Sequence, residues 1–134
     1  MNRFIEAQER DYKIALYEVR SGKKLTHWIW YIFPQMRGLG HSYYAHLYGI
    51  KNIEEAREYL QDKILGERLR EITNVLLEHY DKTADDIFGD LDAMKVKSCM
   101  TLFDAISPND IFDKVLDRFY EGKRCESTIR ILNS

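Results

Sequence analysis

Apolar positions recur every three or four residues along most of the chain, and the breaks between runs fall at Gly, Pro and capping residues, a pattern that predicts helices. Phe4, Ala7, Ala15, Leu16 and Val19 define a first helix from Arg3 to about Arg20, stopped by Ser21-Gly22, with its Glu and Lys side chains facing water. Thr26 to Phe33 is a second element, read as a short helix capped by Thr26 and ended by Pro34. Its aromatic and β-branched content makes a small hairpin over Trp28 to Phe33 the main alternative. Pro34, Gly38 and Gly40 mark an ordered turn, and Ser42 caps a short helix closed by Gly49.

Asn52-Ile53-Glu54-Glu55 has the form of a capping box and opens a helix to about Asp62. Ile64, Leu65, Leu69, Ile72, Val75 and Leu76 form the clearest amphipathic stripe, over Leu65 to Tyr80. Thr83 and Asp86 cap a brief turn ending at Gly89. Asp90 then opens a helix whose apolar side carries Leu91, Met94, Leu102, Phe103 and Ile106. Ser107-Pro108-Asn109-Asp110 reads as a helix start, followed by Ile111, Phe112, Val115, Leu116 and Phe119 at helical spacing. Ser127 to Leu132 completes the chain, with Ile129 and Leu132 turned to the core. The expected fold is an all-α, compact bundle of six to eight unequal helices, and residues 1–134 form a single domain, since no repeat, linker or low-complexity tract divides them.

Composition narrows the class. A hydrophobic fraction of 45% with only 7 Gly and 2 Pro belongs to a globular chain with one core, not to a disordered one. Nine Tyr against six Phe means that many rings carry a hydroxyl needing a partner if buried, which favours a partly polar pocket. Met1 to Arg20 carries charge throughout and the longest apolar run, Trp28 to Phe33, is far short of a membrane span, so the expectation is a cytoplasmic protein with no membrane partner. Cys99 and Cys125 have no CxxC or disulfide pattern and are expected as free thiols.

The net charge of −2 argues against a globally basic nucleic-acid binder, but the distribution is uneven. From Val19 to Ile53 there is no Asp or Glu, while Arg20, Lys23, Lys24, Arg37 and Lys51 lie inside, and the other fifteen Lys and Arg face all 22 acids.

That acid-free segment holds the first candidate site. Arg37 can grip a phosphate or carboxylate through its planar fork, Gly38 and Gly40 can admit an anion to backbone N–H groups, and Trp28 and Trp30 can stack on a flat ring. Gln35 and Ser42 add polar contacts, and His27 and His41 are candidate proton-transfer groups, with His27 the candidate proton carrier. Against these stand structural roles: core packing for Trp28, a loop-bracing bond for Arg37 and hydrogen bonds for the histidines. The second candidate is Lys95, Lys97, Ser98 and Thr101, where Lys95 lies one turn before Ser98 and Ser98 one turn before Thr101; hydroxyls bonded back to the helix backbone are the alternative. No metal-ligand spacing, Walker loop, nucleophile elbow or cofactor fingerprint is present in the sequence.

The segments T-H-W-I-W-Y-I-F-P-Q-M-R-G-L-G-H-S at 26–42, Y-G-I at 48–50, E-E-A-R-E-Y-L at 54–60, I-F-G at 87–89, K-V-K-S-C-M-T-L-F at 95–103 and V-L-D-R-F-Y-E-G at 115–122 closely resemble the bacterial domain-of-unknown-function family 1810. The resemblance implies a small, mainly helical bacterial cytosolic protein without an established activity, and it directs site interest to the two segments already singled out. Two functional expectations follow. The first is binding of an anionic, nucleotide-derived small molecule in a basic aromatic pocket. The alternative is a non-enzymatic interaction module that binds an acidic protein or nucleic-acid partner. Both require the turn after the tryptophans and the Lys95 to Thr101 helix to meet around an open cavity.

Overall fold

Side-chain caps and left-handed turn residues cut the chain into nine helices in the computed structural model, which describes residues 1–134. They are α1 (Asn2–Ser21), α2 (Ile29–Ile32), α3 (Tyr43–Leu47), α4 (Ile53–Gln61), α5 (Lys63–Leu77), α6 (Ala84–Phe88), α7 (Asp90–Ile106), α8 (Phe112–Tyr120) and α9 (Glu126–Leu132). The all-α expectation holds, with more and shorter helices than the six to eight expected. The hairpin alternative at Trp28 to Phe33 is not formed; the only β pairing is an isolated parallel bridge between Met36 and Ile50.

Helix α7 is the axis of the bundle, packed against α2, α4, α6, α8 and α9, while α1 lies across α2 and α5. Residues 98–103 of α7 are buried without interruption. This central position explains why a single apolar stripe mispredicts it. Leu91 and Met94, assigned to the apolar side, are 71% and 66% exposed, because the core lies on the faces carrying Ala93, Val96 and Met100. They share a face with Ser98 and Thr101, which α9 covers only over its later turns. Ile64 is likewise outside the core at 43% exposure.

The start of α8 is a second correction. Asn109 takes φ 60°, a left-handed conformation that a helix beginning at Pro108 cannot pass through. The Ser107 hydroxyl instead donates to the Asp110 carboxylate at 2.8 Å, which Arg70 grips at 2.7 Å, and the helix begins at Phe112. At α4, Asn52 accepts from Glu55 N–H as expected. The Glu55 carboxylate does not return the bond, being held instead by Lys51 N–H and Arg3. Thr83 and Asp86 do form a complete capping box on α6.

The largest departure concerns the entry to α2. Glu18, on a helix whose acids are expected in water, is only 4% exposed. Its Oε1 accepts from Leu25 N–H, Thr26 N–H and Trp28 Nε1–H at 2.8–3.0 Å, and its Oε2 from the Thr26 hydroxyl at 2.9 Å. Thr26 is therefore bound to Glu18 rather than capping a helix, and α2 begins three residues later with no side-chain cap. Burial raises the carboxyl pKa, but these donors outweigh it and hold Glu18 below the usual range. One carboxylate thus fixes the 25–28 turn and seats the Trp28 indole in the core beside Phe33 and Phe88.

Candidate functional site

Once Trp28 is turned inward by Glu18, helical geometry points Trp30 away from it, toward α3. There the Trp30 ring lies 5.1 Å from Tyr44, and Tyr44 lies 6.1 Å from Tyr48, one turn later on the same side of α3. Tyr31 closes the floor 5.0 Å from Tyr48. These four rings, with His27 and Arg10 at the rim, enclose a cleft of about 360 Å³. The Tyr31 hydroxyl donates to the Asp11 carboxylate, and burial together with that acceptor raises its pKa, so the phenol stays protonated at physiological pH. His27 is exposed and its ring makes no hydrogen bond to the protein; its carbonyl accepts from the Tyr31 hydroxyl at 3.2 Å.

On the other side of the Trp30 and Tyr44 rings lies a second, much smaller space, where the turn after Pro34 meets α7. The bridge between Met36 and Ile50 orders this turn: Ile50 N–H donates to Gln35 C=O and Arg37 N–H to Ile50 C=O, both at 2.9 Å. Extended backbone alternates its side chains, so buried Met36 points inward while Gln35 and Arg37 point the other way. Gln35 thereby lines one small space together with Lys95, Trp30, Phe33 and Tyr48. The two stretches do meet. The space between them is about 10 Å³, room for a single water and not for a ligand.

Lys95 is already engaged there. Its ammonium lies 3.2 Å from Asp92 Oδ1, and Lys24 pairs with the other oxygen of Asp92 at 3.0 Å while standing 5.0 Å over the Trp28 ring. The Lys24 side chain is 8% exposed. Part of the positive charge of the acid-free segment is therefore answered internally by an acid from α7, an arrangement that sequence spacing does not disclose.

The remaining residues of the turn build it. Arg37 Nε donates to His46 C=O at 3.0 Å, a brace between turn and α3. Ser42 caps α3 by accepting from Ala45 N–H at 3.1 Å. Gly38 takes φ 102°, and a Cβ on Gly40 would stand 2.9 Å from that of Ala45. His41 is exposed on the loop. None of these five lines either cleft. Trp28, 1% exposed, is core.

Lys97 and Ser98 belong to a third feature, an open groove of about 770 Å³ between α7 and the start of α9. Ser98 and Thr101 donate back to the carbonyls of Met94 and Lys97, at 3.1 and 2.8 Å. Both also serve Cys125: Ser98 Oγ stands 3.3 Å from its sulfur, and Thr101 Oγ1 accepts its N–H at 2.9 Å. The lysine-serine stripe is thus divided, with Lys95 facing the turn and Lys97, Ser98 and Thr101 facing α9.

Of the expected site residues, the structure brings together His27 with Trp30, Trp30 with Gln35 and Lys95, and Lys97 with Ser98. It adds Arg10, Tyr44 and Tyr48, which composition and motifs do not single out. The four-residue spacing of the two tyrosines after a Ser cap is a usable signal for a shared face; nothing local marks Arg10. No group of His, Cys, Asp and Glu is arranged to hold a metal ion. No helix is long and apolar enough to cross a membrane.

A compact helical fold with an aromatic cleft beside α3 and a basic groove beside α9 defines a small all-helical protein. The chain belongs to the family of proteins of unknown function DUF1810, whose model matches residues 1–132. It is similar to the crystal structure of the conserved hypothetical protein Rv1873 from Mycobacterium tuberculosis, with 40% sequence identity and a TM-score of 0.97 over 99% of this chain and 96% of that one. No curated protein matches it.

Proposed function

We propose that this protein binds a flat, anionic small molecule, of which nucleotides are the leading class, in the cleft lined by Trp30, Tyr31, Tyr44 and Tyr48. The observation that carries the reading is the ring arrangement: four aromatic faces gathered around one opening, with the only two basic side chains of the cleft, Arg10 and His27, at its rim. Aromatic faces stack on planar rings with roughly 1–3 kcal/mol per base, and a rim cation then fixes an attached phosphate or carboxylate. The volume of about 360 Å³ lies within the range of small-ligand sites.

Binding is favoured over catalysis by the state of His27. A general base is normally oriented by a partner on its second nitrogen, and the imidazole here bonds to no protein group. His27 is accordingly assigned to charge recognition. Gln35 and Lys95 would join only if Trp30 and Tyr44 separated, which would connect the two spaces.

The alternative, an interaction surface for a macromolecular partner, draws on one observation: Tyr43 and Tyr44 are 75% and 48% exposed on α3.

The reading is tested by tryptophan fluorescence. Trp28 is buried and Trp30 is half-buried on the cleft wall, so a stacked ligand is expected to quench Trp30 selectively in a titration with adenosine monophosphate, guanosine monophosphate and their uncharged nucleosides. Quenching by the nucleotides, absent in Trp30→Phe, supports the proposal. Unchanged emission across nucleotides, sugar phosphates and aromatic carboxylates contradicts it.

A further inference from the structure

The groove between α7 and α9 holds a chemistry independent of the aromatic cleft. Cys125 is half-buried and faces an opening of about 770 Å³, whose charged residues are Lys97, Lys123, Arg124 and Arg130 against the single acid Glu126. Arg124 is partly engaged, its guanidinium 3.0 Å from Asp104, and Arg130 bonds the Ser127 hydroxyl at 3.1 Å, which leaves Lys97 and Lys123 as the groove's uncommitted cations.

Around the sulfur the groups are built in rather than fortuitous. Ser98, only 6% exposed, places its Oγ 3.3 Å from Sγ and 3.1 Å from Met94 C=O, so its one proton can turn from the carbonyl to a thiolate. Thr128 is fully buried, its Oγ1 has no hydrogen-bond acceptor or donor in the protein, and it stands beside the sulfur. A buried hydroxyl without a partner is costly unless something in its surroundings uses it. Half-burial raises the thiol pKa, but the donors around the sulfur, the Ser98 hydroxyl at 3.3 Å and the N–H groups at the start of α9, outweigh it and hold Cys125 below the ordinary thiol value. Cys99 is the opposite case, wholly buried and pushed well above it.

We propose that Cys125 is a reactive thiol that exchanges with small anionic disulfides, the groove lysines holding the carboxylates while Ser98 and Thr128 steady the attacking sulfur. In the exchange the Cys125 thiolate attacks one sulfur of the disulfide. A new S–S bond to Sγ forms as the old one breaks, and the released half departs as a thiolate that takes a proton from water. A lone pair of the Cys125 sulfur becomes the new bond and the pair of the old bond leaves with the released sulfur, so the one is oxidised by as much as the other is reduced and no further oxidant is needed.

The test uses the folded full chain with oxidised glutathione as the anionic probe and hydroxyethyl disulfide as the neutral one, followed by intact mass and peptide mapping. The expected result is a single adduct on Cys125, none on Cys99, forming about tenfold faster than on the same chain unfolded in urea. Lys97→Glu with Lys123→Glu is expected to lower the anionic rate severalfold and leave the neutral rate unchanged, and Ser98→Ala to slow both. Lys123 is exposed and Lys97 half-buried, and neither makes an ion pair, so this arm reads out even if Ser98→Ala disturbs packing. An adduct on Cys99, a folded rate no higher than the unfolded one, or an unchanged ratio between the two probes in the lysine variant would overturn the proposal.

Discussion

Glu18 shows how much one side chain can determine. Four donors converge on its carboxylate, two from the backbone of the turn and one each from Thr26 and Trp28. Glu18→Ala leaves the buried Trp28 indole N–H without its acceptor and frees the exposed 25–26 turn, and is expected to cost about 1–3 kcal/mol, read as a lower midpoint in urea unfolding. Glu18→Gln, which keeps an acceptor oxygen, is expected to cost less than half as much. The sign of the pH effect follows from the lowered pKa: the stabilisation is complete above the ordinary carboxylate value and is lost as pH falls through the lower folded value. Acid unfolding of the wild type is therefore expected to steepen below about pH 4.5, and in Glu18→Gln that component should be missing.

Arg37 and Trp30 are separated at the same scale. The sequence offers both as ligand contacts, yet Arg37 is tied to His46 C=O and lines neither cleft, whereas Trp30 stands between them. Arg37→Ala is expected to lower stability by about 1 kcal/mol and to leave nucleotide affinity within twofold in calorimetry. Trp30→Ala is expected to abolish binding. Loss of affinity in Arg37→Ala alone would move the site to the turn.

Among the elements, those declared by local chemistry were legible and those set by tertiary position were not. Ser42, Asn52 and the Thr83 with Asp86 pair cap helices where the sequence places them, because a cap is a contact within three residues. Helix α7 misleads since a central helix is buried on several faces and its exposed edge falls on Leu91 and Met94. The start of α8 misleads because Ser-Pro is a general start signal, overridden here by the left-handed Asn109 and the Arg70 to Asp110 pair. The junction of α4 and α5 gives a test at this scale. A Cβ on Gly66 would lie 2.1 Å from the Leu60 carbonyl oxygen, so the glycine permits the two helices to meet. Alanine is a better helix former by about 1 kcal/mol, yet Gly66→Ala is expected to destabilise by about 2 kcal/mol or more, with a lower thermal midpoint; a stabilised variant would show that the junction yields freely.

For the whole molecule, the electrostatic division visible in the sequence is real in composition but partly cancelled in space. Lys24 and Lys95 are both spent on Asp92, and the cations at the open recesses come from outside the acid-free segment: Arg10 of α1, itself 3.9 Å from Asp11, Lys97 of α7 and Lys123 before α9. Sequence proximity could place the tryptophans, the turn and the lysines of α7 in one list. It could not show that Trp30 and Tyr44 would close the space between the turn and α7, leaving the open cleft on the far side of those rings. The molecule therefore carries two recesses of different chemistry, one aromatic with a cationic rim and one basic with a thiol.

The most direct measurement is a nuclear magnetic resonance titration of the folded chain with guanosine monophosphate, following the imidazole signals of His27, His41 and His46, the two indole N–H signals and the tyrosine rings. Concerted, saturable shifts of His27, the Trp30 indole, Tyr44 and Tyr48, with His41 and the Trp28 indole unmoved, are the result this account predicts. Shifts that centre on His41 and the 38–42 turn, or on residues around Cys125, would contradict it.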